Sequence, residues 1–198
     1  MKLNPNGILT SIAAAIMLAS FISPDLAFAD KPGKRKGHGK SSAHQELPSH
    51  ADLKAALEAV VAGEDSAGFG LHMWATVVNR DGEVCAVVFS GDDRGDQWPG
   101  SRVISAQKAN TANAFSLPGL ALSTSNLFTA VQPGGSLFGL QASNPVDTEV
   151  AYKGPAKNFG QHNDPMVGKR VGGVNVFGGG LALYNDEGEL VGAIGCPP

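Results

Sequence analysis

Ser105 and Lys108 stand three residues apart in "ISAQKANTANAF". On a helix that spacing puts a hydroxyl and an amine on one face. In acyl-transfer enzymes built on S-x-x-K, the serine is the nucleophile and the lysine helps to activate it. The other parts of that machinery are missing, because no Ser-x-Asn and no Lys-Thr-Gly follows. A Ser-His-Asp hydrolase needs a buried histidine held by an acid. His72 and His162 are the candidates, no Gly-x-Ser-x-Gly occurs, and a structural role is the simpler assignment for each. Catalytic zinc needs three ligands and an open position, yet neither His-x-x-x-His nor Cys-x-x-Cys is present. His38, His44 and His50 recur every six residues with no carboxylate or cysteine clustered among them, which argues against a metal site. "GDDRGDQWPG" (91–100) lacks the regular oxygen ligands of a calcium loop and reads as a solvated turn. Gly178-Gly179-Gly180 leads into a strand without a following Lys-Ser/Thr, so it is no phosphate loop.

The elements that must position these residues follow from the patterning. Residues 1–29 read as a secretory leader, with Lys2, an apolar Ile8–Ile22 and the small-x-small end Ala27-Phe28-Ala29. That makes Asp30 the expected mature start, outside the cell or in the periplasm, with no membrane span after processing. Residues 30–46 are a basic, Gly- and Ser-rich linker with too little apolar surface to order itself. Residues 47–198 suit one domain. They hold nine Lys and Arg against 15 Asp and Glu, a net near −6 that argues against nucleic acid as a partner.

Within the domain, "LPSHADLKAALEAVVAGE" is an amphipathic helix with Ser49 as N-cap. "HMWATVVN" (72–79) and "EVCAVVFS" (83–90) flank Asp81-Gly82 as a hairpin. A helix built from small side chains begins near Pro99 and Ser101 and runs to Phe115. A shorter helix is expected over 123–131, a long loop over 141–170, and a second hairpin from 172–185 and 189–195. Antiparallel hairpins separated by helices predict an α+β fold, one sheet with helices packed on it. Cys85 and Cys196 are the only cysteines, and the sequence leaves their pairing open.

Four stretches together resemble the GlcG/HbpS-like family of haem-binding proteins, which includes the C-terminal domain of PduO-type proteins. They are "LPSHADLKAALEAVVA", "ATVVNRDGEVCAVVFS", "PGSRVISAQKANTANAF" and "GGVNVFGGGLALYNDEGELVGAIG". "LFTAVQPGGSLFGL" is similar to the exported sub-branch with a long loop. The resemblance implies a single antiparallel sheet flanked by helices in a profilin-like layout, assembly into homo-oligomers, and non-covalent binding of haem or a similar flat apolar ligand. It also implies that the Ala-rich helix is a packing element. Some relatives ligate haem through a histidine of the first helix, which makes His50 the first candidate for the iron. His72, Met73 and Cys85 are the alternatives, since His, Met and thiolate all serve haem. Trp74, Phe89, Phe138 and Phe177 are the expected apolar lining, and Arg102 or Lys108 the expected partners of the propionates. Two rival functions stay open. One is an enzyme that holds a small hydroxy acid with Arg102 and Lys108, and the other is a structural oligomer-forming module. Exported relatives continue past "GAIG" into a Cys-bearing final helix, whereas here "GAIGCPP" follows, so an uncovered sheet face is expected.

Overall fold

The computed structural model describes residues 47–63 and 68–198. The expected leader and linker, with His38 and His44, lie outside the described residues. Helix α1 spans His50–Val61 and opens with a reciprocal cap. The Ser49 hydroxyl accepts from the Asp52 amide, and the Asp52 carboxylate accepts from the Ser49 amide. Leu53, Ala56 and Leu57 form its buried stripe. Strands β1 (Trp74–Asn79) and β2 (Val84–Phe89) form the expected hairpin. Gly82 takes φ +73°, and the Asn79 side chain accepts from the Asp81 and Glu83 amides to tie the turn. Strands β3 (Gly180–Tyr184) and β4 (Leu190–Gly195) complete one antiparallel sheet in the order β2-β1-β4-β3. The α+β layout read from the sequence is therefore the observed one.

Each sheet face has its own core. On one face α1 buries Leu53 and Leu57 with Ala75, Val77, Val88, Leu183, Val191 and Ile194. That face is not bare, contrary to the expectation drawn from the end of the chain. On the other face lies α2 (Ser101–Phe115), packed on β1, β4 and β3. Ala106, Ala109 and Ala112 are at most 1% exposed, and Gly195 of β4 lies directly beneath them. A Cβ on Gly195 would run into the Ser105 carbonyl and come within 2.6 Å of the Ala109 amide nitrogen. Backbone meets backbone here, which is why α2 is made of small residues. Gly195→Ala should lower stability by about 1–3 kcal/mol, the range for overpacking a filled core. Urea unfolding with an unchanged m-value checks it.

Two local readings change. Residues 123–131 form two 3₁₀ turns, Thr124–Leu127 and Thr129–Val131, rather than an α-helix. Asn126 bonds back to the Ser123 amide, and Thr124 turns inward to Phe177 and Gly180, which ends the segment early. Residues 172–179 are not strand. Their backbone runs along α2 instead, where Thr111 accepts from the Asn175 amide and Asn110 donates to the Gly173 carbonyl. The long loop is ordered, with one-turn helices α3 (Leu140–Ser143) and α4 (Thr148–Ala151) and a 3₁₀ turn at Ala156–Asn158. No helix of the described residues is long and apolar enough to cross a membrane.

Candidate functional site

Strand register lines up one end of the sheet. Trp74 pairs with Phe89, the Trp74 amide donates to the Pro197 carbonyl, and the Cys196 amide donates to the Gly179 carbonyl. Phe89, Trp74, Cys196-Pro197 and Gly179 therefore follow one another across β2, β1, β4 and β3. Adjacent strands lie about 4.8 Å apart, so this row is roughly 14 Å long.

At the β2 corner, Trp74 and Phe89 meet edge to face with centroids 5.1 Å apart. Gly160 of the long loop lies against both rings. At φ +77° it has no room for a side chain, because a Cβ would overlap Phe89 and stand 2.9 Å from Trp74. His50, the first residue of α1, bonds through Nε2 to the Gly160 carbonyl at 3.0 Å. A carbonyl only accepts, so Nε2 donates, and in the neutral imidazole the free lone pair is then on Nδ1. Lys54, one turn on, donates to the Phe89 carbonyl, sits 5.2 Å from the centre of that ring and pairs with Glu58 at 3.0 Å. Trp74 is 1% exposed, yet its Nε1 finds no acceptor. A buried donor left unmade costs about 1–3 kcal/mol.

The loop is held over this corner by a buried ion pair. Asp164 accepts from Arg102 Nε at 2.8 Å and Nη2 at 2.5 Å, and also from the Gly160 and Met166 amides. Arg102 gives Nη1 to the Ala151 carbonyl and stacks 3.7 Å from the Phe159 ring centre.

Comparison with known proteins adds a lineage to this geometry. Residues 49–197 match the family described as haem degrading protein HbpS-like. The chain belongs to the HbpS-like family. Among solved structures, this HbpS-like chain is similar to the PduOC:haem complex at 23% identity, covering 73% of this chain and 79% of that one, with TM-score 0.44. It is also similar to Klebsiella pneumoniae protein ORFY at 20% identity, covering 85% of each chain, with TM-score 0.45. No curated protein sequence matches it.

The HbpS-like domain gathers some of the residues singled out from its sequence and separates others. His50, Trp74 and Phe89 meet at one corner. His72 is exposed beside them in sequence, with Nδ1 3.0 Å from the Ser90 hydroxyl. Met73 does not face that corner, because strand alternation sends it into the α1 core at 8% exposure. Phe138 and Phe177 are 66% and 59% exposed and do not join Trp74 and Phe89. Arg102 is 2% exposed and committed to Asp164, Ala151 and Phe159, so it is not presented to a ligand. Cys85 and Cys196 form no disulfide. Burial, with Glu83 nearby, pushes the Cys85 thiol up to about 11, so at neutral pH it is not the thiolate a haem iron takes. Ser105 is tied to Thr76 at 2.6 Å and to the Arg102 carbonyl, leaving no nucleophile in the S-x-x-K. Among the described residues no three His, Cys, Asp or Glu groups form a metal site. Gly160, Asp164 and Lys54 carry the corner without having been read as site residues. Lys54 could have been found from its i+4 spacing to His50. The pairing of Asp164 with Arg102 across 62 residues left no local signal.

Proposed function

We propose that this protein is an exported, self-associating haem-binding protein that holds haem non-covalently at the His50 corner. The observation that carries the reading is the His50–Gly160 hydrogen bond. Histidines that ligate metals usually donate their second ring N–H to a carbonyl or carboxylate, which fixes the tautomer and raises the basicity of the ligating nitrogen. His50 has that arrangement already, with its remaining lone pair on Nδ1.

The residues present fit such a group. Trp74 and Phe89 back the corner as buried rings, Trp74 Nε1 has no acceptor there, and Lys54 is a partly exposed cation one turn from His50. His50 would hold the iron, and Lys54, exchanging its exposed pair with Glu58, would balance a propionate in the role first expected of Arg102 or Lys108. When bound, haem supplies iron for oxygen or redox chemistry. The protein's own part is to orient the imidazole and shield one face from water. The family's description supports the haem reading. The sequence of residues 1–29 supports export, and the exposed Leu117, Leu120, Phe128 and Phe138 support self-association.

A haemin titration followed by absorption tests the site. Wild-type protein should give a saturable Soret shift near one haem per chain, and His50→Ala should weaken it at least tenfold. A folded protein with no saturable shift would end the haem reading. An unchanged affinity in the variant would move the iron to His72.

A further inference from the structure

At the other corner of the same sheet end, one lysine has no counter-charge. Lys108 leaves α2 and lies over the paired ends of β3 and β4, where glycines leave room for its side chain. A Cβ on Gly195 would stand 2.8 Å from the Lys108 Cβ, and one on Gly180 would stand 2.7 Å from the Lys108 carbonyl. A Cβ on Gly179, at φ +104°, would lie 3.5 Å from Nζ. Lys108 is only 4% exposed. Among the described residues its amine has no carboxylate and no hydrogen-bond acceptor. The elements packed around it, Ser123–Leu127 and Phe177–Gly180, bring no titratable group. The end of β4 brings only Cys196, whose thiol burial holds up at about 12 and therefore neutral. Burial pulls Lys108 down to about 8, so near neutral pH it is still mostly an ammonium ion.

The surface beside Gly179 is open and rich in donors. Gly178 is exposed, and a Cβ there would meet only Ser125, at 3.9 Å. The Gly178 and Gly179 amides donate to no backbone acceptor among the described residues. The Ser123 and Ser125 hydroxyls lie beside them, 3.1 Å apart, and Phe177 flanks this surface with an exposed ring.

We propose that Lys108, with the Gly178-Gly179 backbone and Ser125, forms a binding site for a small carboxylate, distinct from the His50 corner. One buried cation without an arginine fork balances a monoanion rather than a dianionic phosphate, and the hydroxyl and amide groups can donate to the two carboxylate oxygens. The carboxylate could belong to a free metabolite or to a haem propionate reaching along the row from the other corner. The site does not depend on the haem reading.

The test uses acetate and the full processed chain, with the Lys108 ammonium observed by heteronuclear NMR. Saturating acetate should raise the Lys108 pKa by about one unit. By linkage, acetate should bind about tenfold more tightly at pH 6.5 than well above pH 9. Lys108→Met should abolish binding, while Ser125→Ala should weaken it several-fold without touching the core. Haemin that displaces acetate would identify the propionate as the source, and acetate binding unaffected by haemin would identify a free carboxylate. A Lys108 titration indifferent to acetate, or acetate binding retained by Lys108→Met, would overturn the site. Loss of haemin binding with acetate binding intact would count against the His50 reading alone.

Discussion

Asp164→Ala should be the most damaging single substitution in the domain. It lowers stability by about 3–5 kcal/mol, the cost of leaving one member of a buried pair uncompensated. The Arg102 side chain is 2% exposed and that of Asp164 is fully buried, so water cannot take over when the carboxylate is removed. Three losses coincide. Arg102 keeps its charge with one carbonyl partner, and the Gly160 and Met166 amides lose their acceptor. For a domain of this size the midpoint of thermal unfolding should fall by on the order of 10 °C. Because Asp164 fixes Gly160, and Gly160 fixes His50, native-state hydrogen exchange should rise first in residues 156–166 and at the start of α1. A double-mutant cycle with Arg102→Met separates the two contributions. The double variant should recover much of the loss, since an apolar pair leaves no stranded charge. A single Asp164→Ala within 1 kcal/mol of wild type would mean that the clamp does not hold the loop.

Lys108→Met should act in the opposite direction and stabilise the protein at neutral pH. Burial lowers the Lys108 pKa from its ordinary 10.5 to about 8. The unfolded chain therefore binds the proton more tightly than the folded one between these values. The penalty is fully present below pH 8 and disappears as pH rises toward 10.5. A shift of that size corresponds to about 3 kcal/mol at most. Met keeps the apolar stem and removes the charge, so the variant should gain about 1–3 kcal/mol at pH 7 and lose the advantage by pH 11. The comparison must be made between the two proteins. Cys85 and Cys196 have raised pKa values and give wild type the reverse slope above pH 9, which the difference cancels. Denaturant unfolding at pH 7, 9 and 10.5 reads it out. An equal or lower stability of Lys108→Met at pH 7 would show that the ammonium has a partner in solution. A stabilising gain would show that the protein carries an unbalanced charge, which fits a side chain kept for a ligand.

The sequence by itself determined the elements whose signals are local. The α1 cap is written in Ser49 and Asp52, the first hairpin in Asp81-Gly82 between β-branched runs, and the close packing of α2 in its alanines. Each depends on residues within a few positions, so periodicity and turn chemistry reach it. The four family stretches were legible for the same reason, and His50 could be named from them. Tertiary structure alone decided which groups meet. Strand alternation turned Trp74 to one face and Met73 to the other. The long loop carried Gly160 onto His50 and Asp164 onto Arg102, which removed Arg102 from any ligand. Thr111 and Asn110 drew 172–179 off the expected strand. Lys108 looked like half of a catalytic pair, and it became an isolated cation only when Gly179 and Gly180 on one segment and Gly195 on another converged around it. Such contacts form between residues tens of positions apart, where sequence spacing carries no information about distance.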